Sequence, residues 1–176
     1  ESAERSGLLF TGIGKDEDFL SILQDPALWR PFGGTKLVLR HALRALPLFY
    51  EAIMQELARG PAVLVSPFHQ FAARAAREKT GMPLVTVHLQ PSCFLSAWDM
   101  PVFFSWTKPL RLLPLWVRRV LMNSWNPVNG MLRRGLKGFC ANLGIKAPAR
   151  PLPEWMHSPD ANLAMFPEWF AAPQPD

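Results

Sequence analysis

The chain has 176 residues and a mass of 19.8 kDa, with 49% apolar and 19% charged positions, which suits one ordinary domain and excludes a disordered, charge-rich chain. A net charge of +5, from 19 Lys and Arg against 14 Asp and Glu, favours anionic partners such as phosphates or a lipid surface, while no basic run alternates with aromatics as a nucleic-acid footprint would. No stretch approaches the ~18 uninterrupted apolar residues of a membrane span, the opening Glu1, Glu4 and Arg5 do not read as a leader, and two cysteines and four scattered histidines match neither a disulfide framework nor a metal-site spacing.

Leu8 to Ile13, between Gly7 and Gly14, reads as a short strand, and Asp16 to Leu23 as a helical turn before Asp25-Pro26 and a Trp29-Arg30-Pro31 loop. Gly33-Gly34 marks a break. Thr35 is a plausible N-cap for a long amphipathic helix to about Arg59. Its apolar positions Leu39, Leu43, Leu46, Phe49, Ile53 and Leu57 recur every three or four residues, and Pro47 is expected to kink it.

The clearest unit follows Gly60-Pro61. Ala62 to Ser66 is a continuous apolar run of the kind buried on both faces of a parallel sheet. Gln70 to Lys79 is an Ala-rich helix closed by Gly81 as a C′ residue, and Leu84 to Leu89 is a second strand. Strand, helix and strand in about 28 residues make a βαβ crossover, expected to be right-handed. The fold class is therefore α/β, a Rossmann-like parallel sheet with flanking helices.

Pro91 to Pro109 is irregular, aromatic and Pro-rich, with Phe94, Trp98, Phe103, Phe104 and Trp106. A loop this long in a compact domain is usually functional or flexible. Leu110 to Leu143 reads as two helical pieces divided near Asn126-Pro127, the second capped by Gly144. Pro-rich residues 147–153 connect to a short apolar run, Leu163 to Phe166, read as a last strand, and 167–176 as loop or linker. Arg118-Arg119 and Arg133-Arg134 look like solvated helix edges, and Cys93 and Cys140 like buried free thiols.

In an open parallel sheet, ligands bind outside the carboxyl ends of the strands. Two such ends are readable: Ser66-Pro67-Phe68-His69, entering a helix, and Gln90-Pro91-Ser92-Cys93-Phe94. Together they offer an imidazole, an amide, a hydroxyl and aromatic faces. Phe68, His69, Gln90, Ser92, Phe94 and Trp98 are the candidate binding residues. Plainer roles stand beside these: His69 as a helix cap or surface residue, Gln90 and Ser92 as turn-formers, the aromatics as core. Asp99 is a weak acid–base candidate, Glu78 a surface residue, and no Gly pattern forms a phosphate cradle.

The run Ala73-Arg74-Ala75-Ala76-Arg77-Glu78-Lys79-Thr80-Gly81-Met82-Pro83, continuing into Val87-His88-Leu89-Gln90-Pro91-Ser92, resembles the acceptor-side segment of bacterial glycosyltransferases of the two-lobed GT-B architecture. These are relatives of the sterol, macrolide and glycopeptide glycosyltransferases, with the nearest likeness to the rhamnosyltransferases of rhamnolipid synthesis. Supporting stretches are Asp25-Pro26-Ala27-Leu28-Trp29, Pro47-Leu48-Phe49-Tyr50-Glu51, Trp155-Met156-His157-Ser158-Pro159 and 163–171. The resemblance implies residues 1–170 of an acceptor-binding N-terminal lobe, lacking its first strand and Gly-rich loop, and a start of the interlobe linker at 171–176.

It implies an inverting, metal-independent hexosyl transfer from a nucleotide-sugar to a hydroxyl of a hydrophobic, lipid-like acceptor. The general base and the donor-binding lobe would lie outside this chain, so no catalytic residue and no cofactor are assigned within it. It further implies a bacterial cytoplasmic enzyme, peripheral at the inner membrane, without nucleic-acid partners. The alternative is a non-enzymatic lipid-binding or membrane-surface module. The tract from Leu110 to Leu121, with Arg111, Arg118 and Arg119, could rest on anionic lipid, but its apolar face is expected to pack against the protein.

Overall fold

A computed structural model describes residues 2–30, 33–102, 105–124 and 127–175. Pro31, Phe103, Phe104 and Asn126, named in the sequence reading, lie outside the described residues. The chain divides into two compact units, Glu1–Ala62 and Val63–Asp176.

The first unit is helical. Helix α1 (Ser2–Arg5) is short, α2 spans Asp16–Gln24, and α3 spans Gly33–Leu57. Residues 8–13 form no strand, and their side chains are exposed. A strand needs a partner to satisfy its backbone, and Leu8 to Ile13 pairs with none of the described strands. The Asp25 carboxylate accepts from the Ala27 N–H at 2.8 Å and starts a 3-10 turn over Pro26–Trp29. Helix α3 then begins at Gly33, two residues before the expected cap, because Gly33-Gly34 is a packing contact rather than a break. A Cβ at Gly34 would stand 2.2 Å from the Leu28 carbonyl oxygen, so only glycine lets the helix start against the turn. The helix continues through Pro47.

The second unit carries the sheet. Strands β1 (Leu64–Pro67), β2 (Leu84–His88) and β3 (Ala161–Ala164) lie in the order β1-β2-β3, all parallel. The register pairs Ser66 with Thr86, and Thr86 with Asn162. Helix α4 (Phe71–Thr80) links the first two strands and presents Ala72, Ala73, Ala75 and Ala76 as a buried stripe. Small side chains there allow close contact with the sheet. Gly81 ends α4 with φ of 74°, and its N–H donates to the Arg77 carbonyl, the expected left-handed cap. The βαβ unit, the α/β class and the parallel sheet are therefore as expected.

The sheet is covered on one face. Leu84, Thr86 and His88 of β2 are buried, whereas Val63, Val65, Leu89, Leu163 and Met165 on the opposite face are exposed. The expectation that the first strand is buried on both sides is thus overturned. Its apolar run is an edge strand with one bare face. The last strand also lies earlier than expected, at Ala161 rather than Leu163.

Helix α5 spans Leu115–Ser124, α6 spans Pro127–Leu143 and α7 spans Pro151–Trp155. Leu132, Leu136 and Cys140, four residues apart, form the buried line of α6. Asn129 Oδ1 accepts from the Leu152 N–H at 2.8 Å and ties α7 to α6. Lys79 Nζ donates to the Leu143 carbonyl at 2.8 Å and satisfies an orphan acceptor at the end of α6. Both cysteines are free and buried. Arg118 is no solvated edge: it is half-buried and donates to the Trp98 carbonyl. The outer face of α5 does not pack inward either, since Trp116 and Val120 are exposed. Among the described residues, no helix is long and apolar enough to cross a membrane.

Candidate functional site

The strand order puts the carboxyl ends of β1 and β2 beside one another, with β3 on the far side of β2. An opening lies at the β2 and β3 ends. A cavity of about 920 Å³ is walled by Gln90, Ser92 and Phe94 after β2 and by Ala164, Phe166 and Phe170 at and after β3. Three of the six candidate residues, Gln90, Ser92 and Phe94, thus share one wall. The C-terminal residues Ala171 to Gln174, read from sequence as linker, supply another part of it.

Phe68, His69 and Trp98 lie off this wall. Phe68 is half-buried and runs parallel to the His88 ring at 6.0 Å; His69 is on the surface, edge-on to Phe68 at 5.1 Å. Trp98 is exposed, and its backbone N–H donates to Ser96 Oγ at 3.0 Å. That buried hydroxyl also accepts from the Asp99 N–H, so Ser96 shapes the loop that carries Asp99 to the cavity rim. There Asp99 pairs with Arg111. Its carboxylate is engaged by the Arg111 guanidinium.

Phe94 divides this cavity from a second one of about 450 Å³, lined by Phe94, Ser96, Arg119, Met122, Pro153 and His157 among others. The next residue, Leu95, has φ of 53°. A left-handed leucine costs roughly 1–2 kcal/mol.

Behind Phe94 sits a group the sequence reading did not single out. His88, the last residue of β2, is 0% exposed, and among the described residues neither ring nitrogen has a partner within hydrogen-bond geometry. Its polar neighbour Asn162 accepts from the Ser158 N–H and donates to the Ser158 carbonyl. The His88 ring lies 4.6 Å from Phe94 and 4.8 Å from His157. Burial pushes both imidazoles below their ordinary range, His157 to about 4 with His88 adding to the effect, and His88 with slight opposition from Asn162. The pair is neutral at physiological pH.

His157 is held from behind. Arg74 on α4 donates to its carbonyl at 2.7 Å, pairs with Glu78, and lies 6.0 Å from the Trp155 ring centre. The next residues pin β3 to β2. Ser158 Oγ donates to the Leu84 carbonyl at 2.5 Å. Asp160 accepts from the Leu84 N–H at 3.0 Å and takes two hydrogen bonds from Arg77. The Arg77 guanidinium and the Leu84 N–H hold the Asp160 carboxyl down to about 2.

The site is an apolar, aromatic-walled volume with an amide, a hydroxyl and one ion pair at its edge. Such a composition has room for an apolar molecule and polar groups at its edge. Compared with family models, with curated proteins and with solved structures, the chain matches none.

Proposed function

We propose that this chain is the acceptor-binding lobe of a glycosyltransferase of the GT-B kind, receiving a hydrophobic alcohol to which a hexose is transferred from a nucleotide-sugar. The observation that carries the reading is the cavity of about 920 Å³ at the ends of β2 and β3. It lies where open parallel sheets bind ligands, and its volume falls in the range of small-molecule sites. Phe94, Phe166 and Phe170 would contact the acceptor's apolar part, and Gln90 and Ser92 would orient its hydroxyl. The sequence resemblance supplies the reaction: inverting and metal-independent, with the base and the donor site contributed from outside these residues, in the cytoplasm.

The engaged state of Asp99 favours a second reading, a lipid-binding module with no transfer step of its own. Titration of the chain with dodecanol and with dodecane, followed by calorimetry, tests the cavity. Saturable binding that prefers the alcohol and weakens in Ser92→Ala is expected; no binding sinks both readings. Nucleoside diphosphate release from dTDP- or UDP-hexoses, by the chain joined to its flanking encoded sequence, separates them. Release supports the transferase, and its absence with every donor leaves the binding module.

A further inference from the structure

Helix α5 exposes the side an ordinary surface helix hides. Among Leu115 to Met122 the only polar side chains are Arg118 and Arg119, and Arg118 is half-buried and directed to the Trp98 carbonyl. The outward face is left to Trp116, at 70% exposure, Val120, at 54%, and Arg119 between them. Spacings of three and four residues put these three on one side of the helix. The 3-10 segment before it, Ser105–Leu112, adds Trp106 at 58% exposure and Leu112 at 88%, with Lys108 exposed among them.

Along the sequence through this patch the charge has one sign, and the acidic group that borders it, Asp99, is paired with Arg111. Between Asp99 and Glu154 the chain has nine Lys and Arg and no Asp or Glu. The whole positive excess of the protein, and more, therefore lies in the third of the chain that carries the patch. A protein partner of ordinary composition would gain from acidic residues placed among the basic ones. A surface of uniformly negative charge over an apolar interior needs none. Tryptophan, with an apolar body and one N–H donor, favours the boundary between headgroups and acyl chains, and arginine and lysine stems lie along apolar matter with their charges in the polar layer.

We propose that residues 105–120 form a membrane-docking surface whose partner is an anionic lipid bilayer, with Trp106, Leu112, Trp116 and Val120 entering the headgroup boundary and Lys108 and Arg119 meeting lipid phosphates. The patch lies flat rather than spanning, as an interfacial element does. It is separate from the transfer reaction: a bound bilayer would be the same whether or not the neighbouring cavity takes an acceptor.

The test is co-sedimentation of the full chain with vesicles of phosphatidylcholine, with and without phosphatidylglycerol. Binding is expected to the anionic vesicles, weaker at high salt. Leu112→Ser with Trp116→Ser is expected to weaken it by at least ~10-fold, since two large apolar side chains leave the interface. Lys108→Glu removes one attraction and adds one repulsion, for a loss of roughly fivefold or more. This exposed, single-charge variant carries the test even if the double variant does not fold, which far-ultraviolet circular dichroism would reveal. No binding to anionic vesicles, equal binding to neutral ones, or binding untouched in Lys108→Glu would overturn the proposal. So would self-association, seen by sedimentation velocity and lost in the double variant, if vesicle binding were absent.

Discussion

His88 and His157 stack at 4.8 Å with their rings 30° from parallel, one at the end of β2 and the other in the loop before β3. Among the described residues, neither His88 nitrogen has a partner within hydrogen-bond geometry. A proton on either ring would put a charge among apolar ring neighbours, so the folded state favours the neutral forms.

Stability should therefore fall with acidification in a definite window. Unfolded histidines titrate near 6.5, and the folded His157 titrates at about 4. Above the higher value neither state binds the proton and the contribution is complete. As pH falls below it, the unfolded chain takes up protons that the fold excludes, and stability is lost until His157 itself titrates. The loss from His157, which keeps some contact with solvent, is on the order of 1–2 kcal/mol. Urea midpoints across this range should show the slope, and His157→Phe should flatten it. An unchanged slope would mean that other groups govern acid sensitivity.

His88→Phe removes two polar atoms that have no partner within hydrogen-bond geometry among the described residues, from a ring site already bordered by Phe68 and Phe94. Replacing an unsatisfied buried polar group by an apolar one of similar shape is neutral or stabilising. The melting temperature should stay level or rise by about 2–4 °C. A clear fall would show that the imidazole has a partner in solution.

Asp160→Ala breaks the clamp between α4 and the starts of β2 and β3. Arg77 loses its bidentate partner and the Leu84 N–H its acceptor. Thermal unfolding should move down, with amide exchange at Leu84 accelerated. The folded carboxyl is depressed to about 2, so the clamp is present above the ordinary carboxylate range and fails only as pH falls through that value. Wild-type exchange at Leu84 in the variant would remove Asp160 from this role.

In the first unit, Gly34→Ala should cost more than a helix position normally does. Alanine favours a helix over glycine by about 1 kcal/mol, yet its methyl would meet the Leu28 carbonyl at 2.2 Å. Backbone must shift, so the net effect should be destabilising by roughly 1–3 kcal/mol. Guanidinium unfolding followed by helical dichroism measures it. A gain in helix stability would show that the turn yields easily.

The parts legible in the sequence were those with local punctuation. Gly81 and Pro83 bracket the junction between α4 and β2, and the alanine stripe announces a helix lying close on a sheet. Gln90, Ser92 and Phe94 were legible for the same reason, since they follow a recognisable strand. The remaining parts depend on distant pairing. Leu8 to Ile13 has strand composition and pairs with none of the described strands, while Ala161–Ala164 is a strand of weak composition held in place by Ser158 and Asp160. The cavity lies one strand over from the β1–β2 junction, because its second wall comes from residues 164–174, whose return beside β2 no local pattern encodes. The His88–His157 contact joins positions 69 residues apart and leaves no mark of its own in either neighbourhood.

The uncovered side of the sheet has a practical consequence. Val63, Val65, Leu89, Leu163 and Met165 already meet water in the folded protein, so their hydration contributes nothing new when the chain unfolds. The heat-capacity increment should fall below the ~12–15 cal/mol/K per residue of ordinary domains, flattening the temperature dependence of stability. A dye that brightens in oily surroundings should light up on the native state as well.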